Sequence, residues 1–320
     1  MRGRLTILPL FTEQGIRKVA RLRLRQYQHL WFVLPALIVY GLFVLYPTLS
    51  AFQLSLFDWS GRGVSMNFVG MANFVEAIQS PEVYKAAWHN LLFFVAIFTI
   101  QNTIGLGLAV LLDTRPRGYV IYRTILFLPV IVSLVATGFI WSLMLSPNIG
   151  IINPLLKDLG LGWLALAWLS SPVWALPTVI IVQAWQMLGW AIVLYLTGLQ
   201  SIPHELREAA RMDGGGSWQI FHQITFPLLA PSFTTLTVLT FILIFRVFDV
   251  VYVLAGPAGA PAGATDVLGT LIYRTAFGGT SYATGVRMSY AMALAILMFI
   301  ALAVISALLL IWLRRREVQA

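Results

Sequence analysis

The chain of 320 residues is 59% hydrophobic, only 10% charged, and has a mean hydropathy of +0.84. A water-facing surface needs about a quarter of its residues charged, so a soluble fold is excluded and an integral membrane protein is indicated. The net charge of +9 does not point to nucleic acid, because Arg and Lys gather at the ends of apolar segments rather than on one soluble face.

Residues 1–29 form a basic N-terminal segment in which Arg17, Arg21 and Arg25 recur every fourth residue. Two readings fit it: a short helix lying on an anionic leaflet, or a basic tail that only sets topology. An all-α transmembrane domain follows at residues 30–313, and a short tail at 314–320. Six apolar stretches in that domain, at residues 30–52, 89–112, 121–145, 174–199, 228–254 and 285–313, are long enough to cross the bilayer. They must be helices, since lipid offers no partner to an unpaired amide. The first stretch has 29 residues before it and no small-x-small cleavage site, so it reads as a retained helix rather than a signal peptide.

Orientation follows from the connections. Fifteen Lys and Arg fall in residues 1–29, 113–123, 200–226 and 314–320, against Arg62, Lys85, Lys157 and Arg274 on the other side. The positive-inside rule then places both termini in the cytoplasm. Arg246 and Arg287 lie inside proposed spans. The outer connections carry aromatic residues, among them Trp59, Phe68, Phe74, Tyr84, Trp163, Trp168, Tyr273 and Tyr282.

Several chemistries are missing from the sequence. The lysines are Lys18, Lys85 and Lys157, none following a glycine-rich turn, so the usual phosphate-binding loop is absent. The histidines His29, His89, His204 and His222 are scattered, without metal-ligand spacing. Cysteine is absent altogether, which removes disulfides and thiolate sites. An enzyme has little to stand on here.

The connection between the fourth and fifth stretches is the most informative segment. Pro203 opens a helix through the strong helix formers Glu205-Leu-Arg-Glu-Ala-Ala-Arg-Met, the triplet Gly214-Gly215-Gly216 ends it, and Ser217 is placed to cap a second helix. Pro227 marks the start of the fifth span. A short helix held beside the membrane is a lever that another protein can grip, although an ordinary amphipathic connector would read the same way.

The segment closely resembles the EAA loop of the inner-membrane permeases of binding-protein-dependent ABC importers. Glu208-Ala209-Ala210, Asp213-Gly214, Ile224 and Pro227 carry the pattern, with Phe226 where leucine is usual and Gly215 where alanine is usual. Arg123-Thr-Ile-Leu-Phe-Leu-Pro129, Gly150-Ile-Ile-Asn153 and Phe248-Asp249-Val-Val-Tyr-Val-Leu254 with Gly256-Pro257 are also similar to that family, in its maltose-type carbohydrate branch. The likeness is to the larger subunit of that branch in a compact six-helix form.

The resemblance implies a type I permease fold in a bacterial or archaeal inner membrane. It implies a second, different permease subunit, two copies of a cytoplasmic ATPase that bind the ATP and Mg, and an external sugar-binding protein. No cofactor is implied for this chain itself. The coupling residues would be Glu208, Ala209, Ala210, Asp213 and Gly214, with Glu208 making a charge-assisted contact to the ATPase.

A neutral sugar crossing the bilayer needs hydrogen-bonding groups and an aromatic face between helices. Gln183, Gln186 and Trp190 share a face of the fourth stretch, and Arg246 and Asp249 are charges within the fifth. Plainer readings stand beside these: glutamines as interhelical glue, and an arginine and aspartate that neutralise each other. A secondary transporter would show paired, broken halves and more buried carboxylates. A membrane scaffold would need no polar path. The identity of the solute is open, with glycerol-phosphate-type solutes as an alternative to sugars.

Overall fold

The computed structural model describes residues 28–63, 66–278 and 285–315. The basic stretch with Arg17, Arg21 and Arg25, the aromatic Tyr282 and the final tail from 316 lie outside the described residues. The chain divides into two compact units, Met1–Leu54 and Ser55–Ala320.

The first unit contributes one span. Helix α1 runs from Gln28 to Tyr40, passes through a π turn at Gly41–Leu45 and continues as Tyr46–Leu54. Its mean hydropathy of 2.0 over the part from Phe32 to Leu54 suits a lipid-crossing helix.

The second unit opens with a two-residue hairpin, β1 (Phe57–Asp58) and β2 (Asn67–Phe68), paired antiparallel with Phe57 opposite Phe68. Helix α2 (Ala72–Gln79) follows, burying Asn73, Phe74 and Ala77. The Asn73 side chain donates to the carbonyls of Ser55 and Phe57, both at 2.8 Å, which fixes the hairpin to this helix. Glu76, also on α2, receives two hydrogen bonds from Arg287 at 2.5 and 2.6 Å, and the guanidinium lies 4.4 Å from the centroid of Tyr290.

The Arg287 contact holds the Glu76 carboxyl below the usual carboxylate range. The stabilisation is therefore present above that range and fades as pH falls through the lowered value. Both side chains are about half exposed, so Glu76→Gln is expected to change stability by no more than about 1 kcal/mol in a thermal melt.

The remaining helices are α3 (Pro81–Asp113), α4 (Tyr119–Ile131), α5 (Leu134–Met144), α6 (Ile152–Asp158) and α7 (Ala175–Ser201). Then come α8 (His204–Met212), α9 (Ser217–Leu228), α10 (Ala230–Phe245), α11 (Asp249–Ala255), α12 (Leu268–Phe277) and α13 (Met288–Arg314). Four helices, α3, α7, α13 and the first unit's α1, are long and apolar enough to cross a membrane, and the number reaches six if α4 with α5 and α9 with α10 each count as one bent span.

Those two bends correct the sequence reading. The stretch at 121–145 is not one straight helix: α4 and α5 meet at 97°. Pro129 cannot donate a backbone hydrogen bond, Val132 is extended with ψ 134°, and the Ser133 hydroxyl caps α5 by accepting from the amide of Ala136. The fifth stretch, read as 228–254, begins instead after a 60° bend at Leu229 and ends at Phe245, with Arg246, Val247 and Phe248 outside any helix. Pro227 therefore lies in the last turn of α9 rather than at the start of the span, and Pro231 occupies the first turn of α10. Ser217 is the first residue of α9, capped by Gly216, and does not serve as the cap itself. Arg287 precedes α13 instead of lying within the span.

Helix α7 is the centre of the second unit. Its apolar window is 61% buried, against 33% for α3 and 17% for α13. Its neighbours include α3, α4, α5, α10 and α11. The outward apolar surface of the other spans has lipid as its solvent.

Polar residues fasten the interior. A π turn at Gln101–Gly105 in α3 widens the helix, and Gln101 and Asn102 both find partners. Gln101 accepts from Thr240 of α10 at 2.7 Å, and Asn102 accepts a short hydrogen bond from Tyr195 of α7. Near the other end of α3, Asn90 donates to the carbonyl of Ile244 and accepts from the amide of Leu268, each at 2.9 Å. Asp266 is buried there, held by Thr270 at 2.8 Å and Arg274 at 2.9 Å, with its carbonyl 2.6 Å from His89 Nδ1. This network ties the segment after α11 back to α3. Asn153 fastens the turn after α6 in a similar way, donating to Leu166 and accepting from Trp168 at 2.7 Å.

Candidate functional site

Residues of the breaks after Ile131 and Phe245, together with α7, line a cavity of about 500 Å³. All of Gln183, Gln186, Trp190, Arg246 and Asp249 line it, so residues read from two separate stretches meet in one place. Val130, Val132, Leu134, Leu243 and Phe248 complete much of the wall. The sequence reading missed these, because their exposure to the cavity depends on the two breaks.

Gln186 does two things at this wall. Its Nε2 donates to the carbonyl of Val132 at 2.8 Å, supplying a partner to a group that the break in the helix had freed. That bond fixes the amide's orientation and turns Oε1 away, where it is buried without a donor. Gln183 Oε1 is likewise buried and unpartnered. Gln186 is thus partly the interhelical glue that the plainer reading describes, but its acceptor remains unused.

Arg246 and Asp249 do not neutralise each other. No ion pair joins them, and neither side chain has a hydrogen-bonded partner among the described residues. Both are exposed where they line the cavity. Arg246 terminates α10 and Asp249 opens α11, so the irregular turn between the helices presents a cation and an anion side by side. Asp249 also stands at a helix N-terminus, where a negative charge is favoured. Trp190 is 45% exposed and offers an aromatic surface, while Trp185 points elsewhere and packs edge-on to Trp141 at 5.5 Å. The cavity therefore combines unsatisfied acceptors, a free cation, a free anion and apolar faces.

The second site is the loop helix α8. It ends in a Schellman motif: Gly214, with φ +82°, donates to the carbonyl of Arg211 at 3.0 Å, and Gly215 donates to that of Ala210 at 2.9 Å. A side chain at Gly214 would be strained by its left-handed backbone. Ala210, Asp213 and Gly214 line a groove of about 300 Å³ shared with Gln219, Ile220, Gln223 and Ile224 of α9. Glu208 and Ala209 stand outside that groove on the exposed surface of α8. Met212 and Trp218 are 89% and 74% exposed, an apolar surface left largely open among the described residues, with one face of the Trp218 ring stacked on Phe221.

One residue of α8 was not singled out from sequence. Arg207 turns inward and joins Asp113 at the end of α3, 2.8 Å away. Its partner is 94 positions earlier in the chain, so no local pattern announces the contact.

Broken spans around a cavity lined by both polar and apolar side chains, with an exposed helix on a connecting loop, suit a transport permease of the multi-pass type. Residues 101–319 match the family of binding-protein-dependent transport system inner membrane components, and the chain belongs to that family. The probable ABC transporter permease protein YurN of Bacillus subtilis is 37% identical over 271 residues, which is 84% of this chain and 90% of YurN. The lactose transport system permease protein LacF of Rhizobium radiobacter is 34% identical over 273 residues, covering 84% of this chain and 91% of LacF. A solved bacterial alginate ABC transporter, in complex with an alginate pentasaccharide-bound periplasmic protein, aligns with a TM-score of 0.72 at 25% identity, covering 91% of this chain and 94% of that one.

Proposed function

We propose that this chain is one permease subunit of an ATP-driven sugar importer, and that the cavity beside α7 is its half of the solute path. The observation that carries the reading is the cavity's chemistry: two glutamine acceptors without donors, an unpaired arginine and aspartate, and an aromatic face. A sugar offers hydroxyl groups that both donate and accept, and its C–H faces pack on aromatic rings. Gln183 Oε1 is reached by rotation about a soft terminal torsion, whereas turning Gln186 Oε1 toward a solute exchanges its hydrogen bond to the Val132 carbonyl for one to a sugar hydroxyl. LacF, named for lactose transport, and the alginate importer with its sugar-loaded periplasmic protein support the same solute class and an external binding protein.

The remaining parts of the importer follow from this reading. A second permease subunit completes the path. Two copies of a cytoplasmic ATPase bind ATP and Mg and grip α8, which faces the cytoplasm together with both chain termini. Closure of the ATPase would move α8, and the membrane helices would then expose the cavity alternately to the two sides.

Gentle purification of the tagged chain from its own membrane is expected to recover a phosphate-binding-loop ATPase and a second polytopic subunit in stoichiometric amounts. In proteoliposomes of that complex, labelled lactose, maltose and trehalose test the solute class. Asp249→Asn and Gln186→Ala are each expected to raise the transport KM about tenfold, the effect of weakening one polar contact to the bound solute. Unchanged KM and specificity in both variants would remove these residues from the path. Arg246 favours a second reading, an anionic solute such as glycerol 3-phosphate; uptake of that compound without any of the three sugars would select it.

A further inference from the structure

Helix α8 has two faces with different work to do. Glu208 is exposed, whereas Arg207, one residue earlier, is turned toward the membrane domain with 17% of its side chain exposed. The Arg207 guanidinium holds two elements at once: Nη1 donates to Asp113 Oδ2 at 2.8 Å and Nη2 donates to the carbonyl of Leu199 at 3.1 Å. Asp113 is the last residue of α3, and Leu199 lies in the last turn of α7. Both helices end here, at the negative end of their dipoles, so a cation is favoured. The Asp113 side chain is itself 20% exposed, which shields the ion pair from solvent screening.

The second contact matters for what α7 carries. Leu199 is thirteen positions from Gln186, about 20 Å along one unbroken helix. α8, the end of α3 and the end of α7 are therefore joined at one planar, pre-organised group, and α7 continues directly to the cavity wall.

We propose that Arg207 is the positioning residue of the coupling helix. It transmits displacement of α8 to α3 and α7, and thereby to the cavity, while taking no part in docking the ATPase. This rests on the reading of α8 as the ATPase-binding helix. Lysine would keep the charge facing Asp113 but, as a point donor on a flexible stem, would not hold the same two-pronged geometry. Asp113→Asn weakens the clamp from the other side and leaves the sequence of α8 intact.

The test uses the complete importer with a single spin label at Ile181→Cys, an exposed position on α7; this chain has no cysteine of its own. The label spectrum is compared without nucleotide and with Mg-ATP plus vanadate, and the ATPase co-purifying with each variant is quantified. The wild-type background is expected to show a nucleotide-dependent change. Arg207→Ala and Asp113→Asn are expected to lose that change while retaining the ATPase at full stoichiometry, with Arg207→Lys intermediate. The exchange pair Arg207→Asp with Asp113→Arg is expected to recover part of it.

A wild-type-like response in Arg207→Ala and Asp113→Asn would overturn the proposal. So would loss of the ATPase from both variants, which would make the clamp a docking element. If Arg207→Ala fails to fold, Asp113→Asn decides between the same outcomes. Failure of the unsubstituted chain to recover any ATPase would overturn the importer reading itself, an outcome visible before any Arg207 variant is compared.

Discussion

Replacing Glu208 by alanine is expected to lower solute uptake by about ten- to a hundredfold at unchanged membrane abundance, the equivalent of one charge-assisted hydrogen bond lost. Within this chain the substitution removes nothing. Glu208 is exposed, and its carboxylate has neither an ion pair nor a hydrogen-bonded partner among the described residues. Alanine is also a better helix former than glutamate, by a few tenths of a kcal/mol at most. A fold-based effect is therefore close to zero, and a large loss of uptake must come from a partner. The groove at Ala210, Asp213 and Gly214, with the exposed Met212 and Trp218, is the surface such a partner would cover.

Glutamine at 208 keeps the shape and the acceptor while removing the charge, so its uptake is expected between wild type and alanine. The decisive measurement pairs uptake in proteoliposomes with quantification of the ATPase bound. Normal uptake in Glu208→Ala at normal abundance would end the coupling role of this residue.

Much of this was legible because the relevant signals are local. Pro203, the helix formers after it and the glycine triplet lie within fourteen residues, and they produce α8 and its Schellman ending. The spacing of Gln183, Gln186 and Trp190 is a property of a single helix, so their shared face survives into the structure. Hydropathy located the spans because the bilayer imposes a length on them. It does not register direction, and the 97° bend at Val132 is invisible to it: Val, Ser and Leu continue the apolar run, and only Pro129 and the capping Ser133 carry a hint.

The Arg246–Asp249 spacing misled for a related reason. Three residues apart on a continuous helix they would face one another and pair, but the chain is not helical between them and each points on its own into the cavity. Contacts that span the sequence, Arg207 with Asp113 and Gln186 with the carbonyl of Val132, depend on how helices pack and have no local signature.

Packing and function meet at Gly189, and its substitution is expected to have a large effect on the folded protein. Glycine costs a helix interior about 1 kcal/mol relative to alanine, so a reason for its presence should be visible, and it is. A Cβ at 189 would lie 2.5 Å from the carbonyl oxygen of Leu126, 2.9 Å from Val130 Cγ2 and 3.0 Å from the Cα of Phe127. Two of these are backbone atoms of α4, which cannot rotate away, so α4 itself must move. Close helix approach over small residues is how membrane helices gain packing energy where the hydrophobic effect offers little.

Overpacking of this kind costs about 1–3 kcal/mol for one added carbon and more for a larger side chain. Gly189→Ala is therefore expected to lower the melting temperature in detergent, and Gly189→Leu to leave little folded protein. Function should fall as well, since α4 leads to Val132, whose carbonyl holds Gln186 in the wall of the cavity, and a displaced α4 would move that wall. Gly189→Ala is thus expected to raise the transport KM even at temperatures where it remains folded. Gly107→Ala is the matched control: it lies on α3, where a Cβ meets nothing within 4 Å, and it is expected to leave stability equal or slightly higher. A Gly189→Leu chain that folds and transports normally would show that α4 yields at this crossing, and the cavity would then owe its shape to the Pro129–Ser133 break alone.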